Sequence, residues 1–273
     1  VKGRRTNQAQ KGMKGMSVVI ISGESYCRRE EIAIEAAEAL GYDCFSREVL
    51  AEASRRYSLP EEKLEEALKD SSSFLDRFSN TRSRHLAYYQ AALTALLNKD
   101  NVVYYGDAGH MFVSEVSHVL TVRLMADMEE RAASRMKKEG IPEKQARELL
   151  QKESELRRKW FLSVFGLDGM EPGRFDLVIN VTQIGPKRAA NIIVETARDV
   201  KFQPITYSVK AMQDQELAGR VRAALIDAYP DVIVTARSGE ISIKTKALKK
   251  KEKSTSIRDQ VQAMEGVSYV ELG

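Results

Sequence analysis

Residues 18–21, Val-Val-Ile-Ile, form an unbroken apolar run, and Ile32, Ala33, Ala36, Ala37 and Leu40 then recur at helical spacing before Gly41. A short continuous apolar run fits a strand covered on both faces, and the three-to-four spacing fits an amphipathic helix closed by its glycine. The alternation continues along the chain. Residues 102–105, 119–125 and 175–180 read as strands, with a shorter one at 42–45. Residues 47–56, a piece opening at Pro60 with Leu64 and Leu68 on one face, 83–97, 128–138, a charged stretch from Pro142 toward Trp160 and Phe165, and 185–197 read as helices. Ser71, Ser72 and Ser73 mark a break between two of them. Strands alternating with helices predict a doubly wound α/β fold on a parallel sheet.

After Phe202 the pattern changes. Residues 214–228 read as a helix, 232–236 and 241–244 as two short strands around Arg237-Ser238-Gly239-Glu240, 254–264 as a helix and 267–272 as a last strand. That order, α-β-β-α-β, predicts a small α+β module, with the boundary near Gln203-Pro204. The expected division is a polar, aperiodic leader at 1–15, an α/β domain at 16–200 and a C-terminal module at 208–273.

Charge refines the picture. The formal net charge is +4, but five basic residues fall in the first fourteen, and residues 15–200 carry 26 basic against 30 acidic residues. A mildly acidic body is not what a nucleic-acid-binding face needs, so no nucleic-acid partner is expected. No apolar run reaches the length of a membrane span, and Cys27 and Cys44 have neither metal spacing nor a disulfide framework. With His85, His110 and His118 scattered, no metal site is expected, and a reducing cytoplasm is the expected location.

The chemistry is expected at residues 22–29. A strand, a loop and a helix N-terminus make a phosphate site when backbone N–H groups turn inward. This loop has one glycine, Gly23, and no lysine, but it has Arg28 and Arg29, whose guanidinium groups suit phosphate. Glu30 and Glu31 support the competing reading, in which the helix mouth is satisfied by its own carboxylates. Farther on, Arg131 and Arg135 share a helix face by their i, i+4 spacing.

From about residue 18 to 197 the chain resembles the cytidylate-kinase-like family of nucleoside monophosphate kinases. The resemblance is carried by Val18-Val19-Ile20-Ile21-Ser22, Ala39-Leu40-Gly41-Tyr42, Arg47-Glu48-Val49-Leu50 and Val103-Tyr104-Tyr105-Gly106. Arg131-Ala132-Ala133-Ser134-Arg135, Glu153 to Arg157 and Phe175-Asp176-Leu177-Val178-Ile179-Asn180 complete it. It implies a parallel sheet of P-loop kinase type with a helical lid, and phosphoryl transfer from ATP, with magnesium, to CMP, dCMP or a similar acceptor. It implies that Gly23, Ser25, Arg28, Arg29, Arg135 and Arg158 face the phosphates, that Arg131 and Arg157 act in catalysis, and that Arg47, Asp107 and Asp176 face the acceptor. Five positions depart from the family pattern. Tyr26 and Arg28 stand where glycines belong, so their Cβ atoms are expected to restrict the cradle. Glu30 replaces a hydroxyl residue that would help to hold magnesium, Asp107 an arginine, and Ser154 the aspartate of an Asp-x-x-Arg motif.

The C-terminal module resembles a BON domain through residues 217–225, the 232–244 hairpin and the ending Met264-Glu265-Gly266-Val267-Ser268-Tyr269-Val270. That resemblance implies a binding module for a small ligand or an anionic surface, and Lys249, Lys250, Lys251 and Lys253 supply the charge. Three functions are therefore expected to compete: a kinase-like nucleotide binder with weak or altered transfer, an inactive relative that senses a ligand or partner through its C-terminal module, and a binding protein with no nucleotide role.

Overall fold

Strand β1 (Val18–Gly23) lies in the middle of a parallel sheet of order β2-β3-β1-β4-β5, between β3 (Val102–Tyr105) and β4 (Val119–Met125), with β2 (Asp43–Phe45) and β5 (Leu177–Asn180) at the edges. This is seen in a computed structural model that describes residues 17–69, 80–113, 116–249 and 251–273. The leader at 1–15, the serine break at 71–73, and Lys250 with the side chains of Lys249, Lys251 and Lys253 lie outside what it describes.

The continuous apolar run of β1 is explained by covering on both faces. Val19 and Ile21 join Val103, Leu120, Val122 and Leu124 under helices α1 (Arg29–Leu40) and α9 (Pro186–Ala197). Val18 and Ile20 join Val102 and Tyr104 on the other face, under α2 (Glu48–Tyr57), α3 (Glu61–Lys69) and α4 (Asn80–Leu97). The short helix α5 (Gly109–Phe112) follows β3. A helical hairpin of α6 (Met128–Glu139) and α7 (Glu143–Phe165) rises from the end of β4, and α8 (Val181–Ile184) follows β5. The fold is thus a doubly wound α/β sheet of P-loop kinase type with a helical lid. Strand β5 begins two residues later than its pattern suggests, because Phe175 packs against the His110 ring, 4.5 Å between centroids, and Asp176 bonds Thr121.

The C-terminal module has the expected element order: α10 (Thr206–Leu225), β6 (Ile233–Arg237), β7 (Glu240–Lys244), α11 (Lys251–Gln262) and β8 (Tyr269–Leu272), with sheet order β6-β7-β8. Helix α10 starts eight residues earlier than expected. Ser208, inside its first turn, accepts from the Ile205 N–H at 3.1 Å and fixes the helix start directly after Pro204. The two sheets do not pair, yet one apolar core runs through both parts, from Leu86 and Leu93 to Met212, Leu217 and Val221. Helix α10 packs along α4 at Gly219, where an added Cβ would stand 3.1 Å from Thr94 Oγ1 and 3.4 Å from Ala91 Cα. Polar contacts flank the crossing. Arg222 donates to Gln90 at 2.9 Å, and Tyr88 donates to Asp227 at 2.9 Å.

Candidate functional site

Gly23 ends β1 in the crevice where the chain crosses from β3 on one side to β4 on the other, the usual binding point of an open α/β sheet. A Cβ on Gly23 would lie 2.8 Å from Cys27 Sγ and 2.9 Å from the Leu124 carbonyl, so only glycine fits there. Beyond it the backbone makes a tight turn. Tyr26 and Arg28 adopt φ of 65° and 61°, the left-handed region in which the family has glycine. Their Cβ atoms thus do not bar the left-handed backbone, which costs a strain of roughly 1–2 kcal/mol per residue. The N–H groups of Glu24 and Cys27 are taken by the Leu124 and Glu24 carbonyls, at 3.2 and 3.4 Å. Glu30 and Glu31 both stand in the first turn of α1, where their charge suits the helix dipole, but the N-cap residue Arg28 makes no side-chain capping bond. Glu30 accepts from Tyr105 at 3.3 Å, and Glu31 pairs with Arg28 at 2.8 Å.

Three arginines from three elements converge on this loop. Arg157 of α7 donates to the Gly23 carbonyl at 2.6 Å and to Ser25 Oγ at 3.3 Å. Arg131 of α6, buried at 4% exposure, donates through Nε to the Ser25 carbonyl at 2.9 Å and pairs with Glu24 at 3.2 Å. Its Nη2 is buried without a hydrogen-bond partner among the described residues. Arg29 meets Asp107 at 2.5 Å, and the other Asp107 oxygen lies 3.4 Å from Arg157. The crowding of surrounding protein pushes the Asp107 carboxyl up although about half of its surface stays open, but Arg29 and Arg157 outweigh it and hold it at about 2.

Beneath Asp107 the turn is tightly built. Tyr104 lies so close under it that a Cβ on Gly106 would meet the phenol oxygen at 1.8 Å, and Tyr104 and Tyr89 of α4 share a buried hydrogen bond of 2.7 Å. His110, one residue past Gly109, is buried between Ser22 and the Gly169 carbonyl, 3.1 and 2.7 Å away. The carbonyl can only accept, so Nε2 carries the hydrogen and Nδ1 accepts from Ser22. Burial pushes the imidazole down to about 4, so it is neutral.

Of the remaining expected residues, Arg135 and Arg158 stay at the edge of this cluster, and Arg47 and Asp176 separate from it. Arg135 is buried, bonded to Glu139 at 3.1 Å and Glu153 at 2.8 Å, and its guanidinium lies 5.3 Å from the centre of the Tyr26 ring. It ties the lid helices together. Arg158 is exposed and pairs with Asp168 at 3.1 Å, on a cleft of about 470 Å³ that Arg157 and Glu24 also line. Arg47 is exposed and pairs with Glu65 on α3 at 3.1 Å. Asp176 receives the Thr121 N–H and hydroxyl at 3.0 and 2.9 Å. Thr121 pairs with Ile20, so Asp176 lies three positions, about 10 Å, short of Gly23 along the sheet. It sits at the start of β5, beside Thr121 of β4, rather than in the arginine cluster. Ser154 bonds back to the Leu150 carbonyl at 2.9 Å and reaches no partner across the lid.

The sequence reading missed Glu24, Tyr105 and the Ser22–His110 pair. Glu24 follows the one loop glycine and was legible as a loop carboxylate, but the Arg131 that pairs with it is 107 positions away. No group of three His, Cys, Asp or Glu among the described residues is placed to hold a metal ion. The guanidinium donors fit a polyphosphate, whereas Glu24 and Asp107 compete with it for them.

A five-stranded parallel sheet, a tight loop at the end of its central strand and an arginine-bearing lid define the P-loop kinase class of fold. The family model described as the cytidylate kinase-like family matches residues 18–183, and the chain belongs to that family. Among solved structures, an uncharacterized protein from Eubacterium ventriosum is similar at 17% identity and a TM-score of 0.53, over 67% of this chain and 98% of that one. Shikimate kinase from Bacteroides thetaiotaomicron aligns at 12% identity and a TM-score of 0.41, over 66% and 95%. No curated protein matches the chain. No helix among the described residues is long and apolar enough to cross a membrane.

Proposed function

We propose that this chain is a cytidylate-kinase-like nucleotide binder that takes a triphosphate weakly and transfers its phosphoryl group poorly to CMP, dCMP or a similar acceptor. The observation that carries this reading is the convergence of Arg29, Arg131 and Arg157 on a loop whose cations already face Glu24 and Asp107. Phosphoryl transfer depends on positioned cations around the moving group. Here those cations are positioned, but two carboxylates share them. ATP would lie along residues 23–29, with its phosphates on the loop N–H groups and the guanidiniums of Arg131 and Arg157. Magnesium, when bound, would supply charge neutralisation at the phosphates, and Glu30 replaces the hydroxyl that usually helps to hold it. Calorimetric titration with ATP, CMP and dCMP, with and without magnesium, tests the reading. Weak, magnesium-assisted ATP binding supports it, and no binding of any of the three overturns it.

A second reading rests on the α4–α10 packing. The C-terminal module, which we take as a BON-like division at 208–273, packs on α4, whose Tyr89 bonds Tyr104 beneath the Asp107 turn. In that reading the protein is an inactive, cytoplasmic relative whose C-terminal module senses a ligand or anionic surface. Nucleotide binding with no detectable CMP phosphorylation, together with a change in nucleotide affinity when residues 208–273 are removed, supports it.

A further inference from the structure

Asp107 does what a bound phosphate would do. Its two carboxylate oxygens are divided between two arginines from different elements: one oxygen lies 2.5 Å from Arg29 on α1, the other 3.4 Å from Arg157 on the lid helix α7. It therefore joins loop, sheet and lid, the three parts that a polyphosphate in this cleft would join. Glu24, by contrast, pairs with Arg131 alone among the arginines. The position of Asp107 is imposed from below. Tyr104 presses on Gly106 and Gly109, where a Cβ would approach its ring to 2.5 Å or less, and leaves the turn one path. The carboxylate itself is about half exposed, so a ligand can reach it.

The charge balance follows from the same contacts. Within this cluster three guanidiniums face two carboxylates, one net positive charge, and neutralising Asp107 raises it to two. Arg131 keeps a buried Nη2 without a hydrogen-bond partner among the described residues, which is spare donor capacity beside the loop.

We propose that Asp107 is an internal counter-anion that a polyphosphate must displace from Arg29 and Arg157, so that this one carboxylate sets the affinity of the cleft for triphosphates. The proposal rests on the nucleotide-binding reading above, and the test separates the two. The full chain and its Asp107→Asn variant are titrated calorimetrically with ATP and with inorganic tripolyphosphate. Asp107→Ser serves as a second neutral variant should the first fold poorly, Asp107→Glu retains the charge, and Glu38→Gln removes one exposed charge elsewhere on α1. Asp107→Asn should bind both ligands about tenfold more tightly or better, because a fixed like charge leaves the cleft. Asp107→Glu should stay within about threefold of wild type, since the charge is kept. Equal affinities in wild type and Asp107→Asn, or an equal gain in Glu38→Gln, would overturn the role of Asp107 and leave the nucleotide reading standing. Failure of every form to bind either ligand would overturn both.

Discussion

Tyr26, on the phosphate loop, donates its phenolic hydrogen to Glu139 in the last turn of α6. A residue that replaces a family glycine thus fastens the loop to the lid. The ring packs with Ala132, Ala146 and Leu150 between the two lid helices. Burial, then Glu139, pushes the phenol up to about 12, so it remains a donor at neutral pH.

Tyr26→Phe should therefore loosen the lid without unfolding it. Amide exchange in residues 128–139 should speed up, with a stability loss of about 1 kcal/mol for the lost hydrogen bond. In the wild type this contribution is complete below pH 10, the usual phenol value, and disappears as the pH rises toward 12. Unchanged exchange in Tyr26→Phe would show that the hydroxyl does not hold the lid.

Arg131 and Arg157 should separate in stability although both serve the loop. Arg131→Ala leaves Glu24 with the weaker Ala126 N–H, at 3.4 Å, takes the Nε donor from the half-buried Ser25 carbonyl and should cost about 2 kcal/mol. Arg157→Ala should cost no more than about 1 kcal/mol, because Arg29 also reaches the Gly23 carbonyl, at 3.4 Å. Each change should weaken triphosphate binding about tenfold. Urea unfolding and calorimetry on the two variants check both halves, and equal stabilities would remove the distinction.

His110 makes the fold sensitive to acid. Burial lowers its pKa from 6.5 to about 4, so the neutral imidazole belongs to the folded state. Its contribution is complete above pH 6.5 and is lost as the pH falls to about 4. The loss amounts to about 3 kcal/mol at most, at 1.36 kcal/mol per pH unit. His110→Gln should flatten stability over that interval in urea midpoints measured from pH 7 to 4. A wild-type curve equally flat would contradict the assignment.

Gly219→Val should destabilise the crossing of α4 and α10 by about 1–3 kcal/mol, since the new side chain meets Thr94 and Ala91. The division near residue 203 predicts protease cleavage between 198 and 212. The shared core predicts in addition that the two fragments elute together in gel filtration, and that Gly219→Val separates them. Fragments that part in the wild type would mean that α10 adds little to the core.

Much of the architecture was legible in local pattern. The unbroken run at 18–21, the helical stripe at 32–40 and the α-β-β-α-β ending each describe a segment whose burial sets its own periodicity. Boundaries failed where distant partners decide them, as at Asp176, bonded to Thr121, and at α10, whose first turn is set by Ser208. The loop was legible as a place but not as a shape. A Cβ at residues 26 and 28 argues against positive φ, and only the side chains' external partners, Glu139 and Glu31, show where the strain is offset. The pairings of Arg131 with Glu24 and of Arg157 with Asp107 join residues far apart in sequence, which no spacing rule reaches.

The α4–α10 packing also sets an order of manufacture. Helix α4 ends at Leu97 and its partner α10 begins at Thr206, so the ribosome adds residues 98–205 between them. At roughly 5–20 residues per second that interval lasts about 5–20 s. Throughout it, the face of α4 around Ala91 and Thr94 waits for a partner that has not been made. Until residues 206–225 emerge, the nascent chain carries an uncovered apolar face on α4, the kind of exposed surface that makes incomplete chains prone to association during synthesis, whatever the stability of the finished protein.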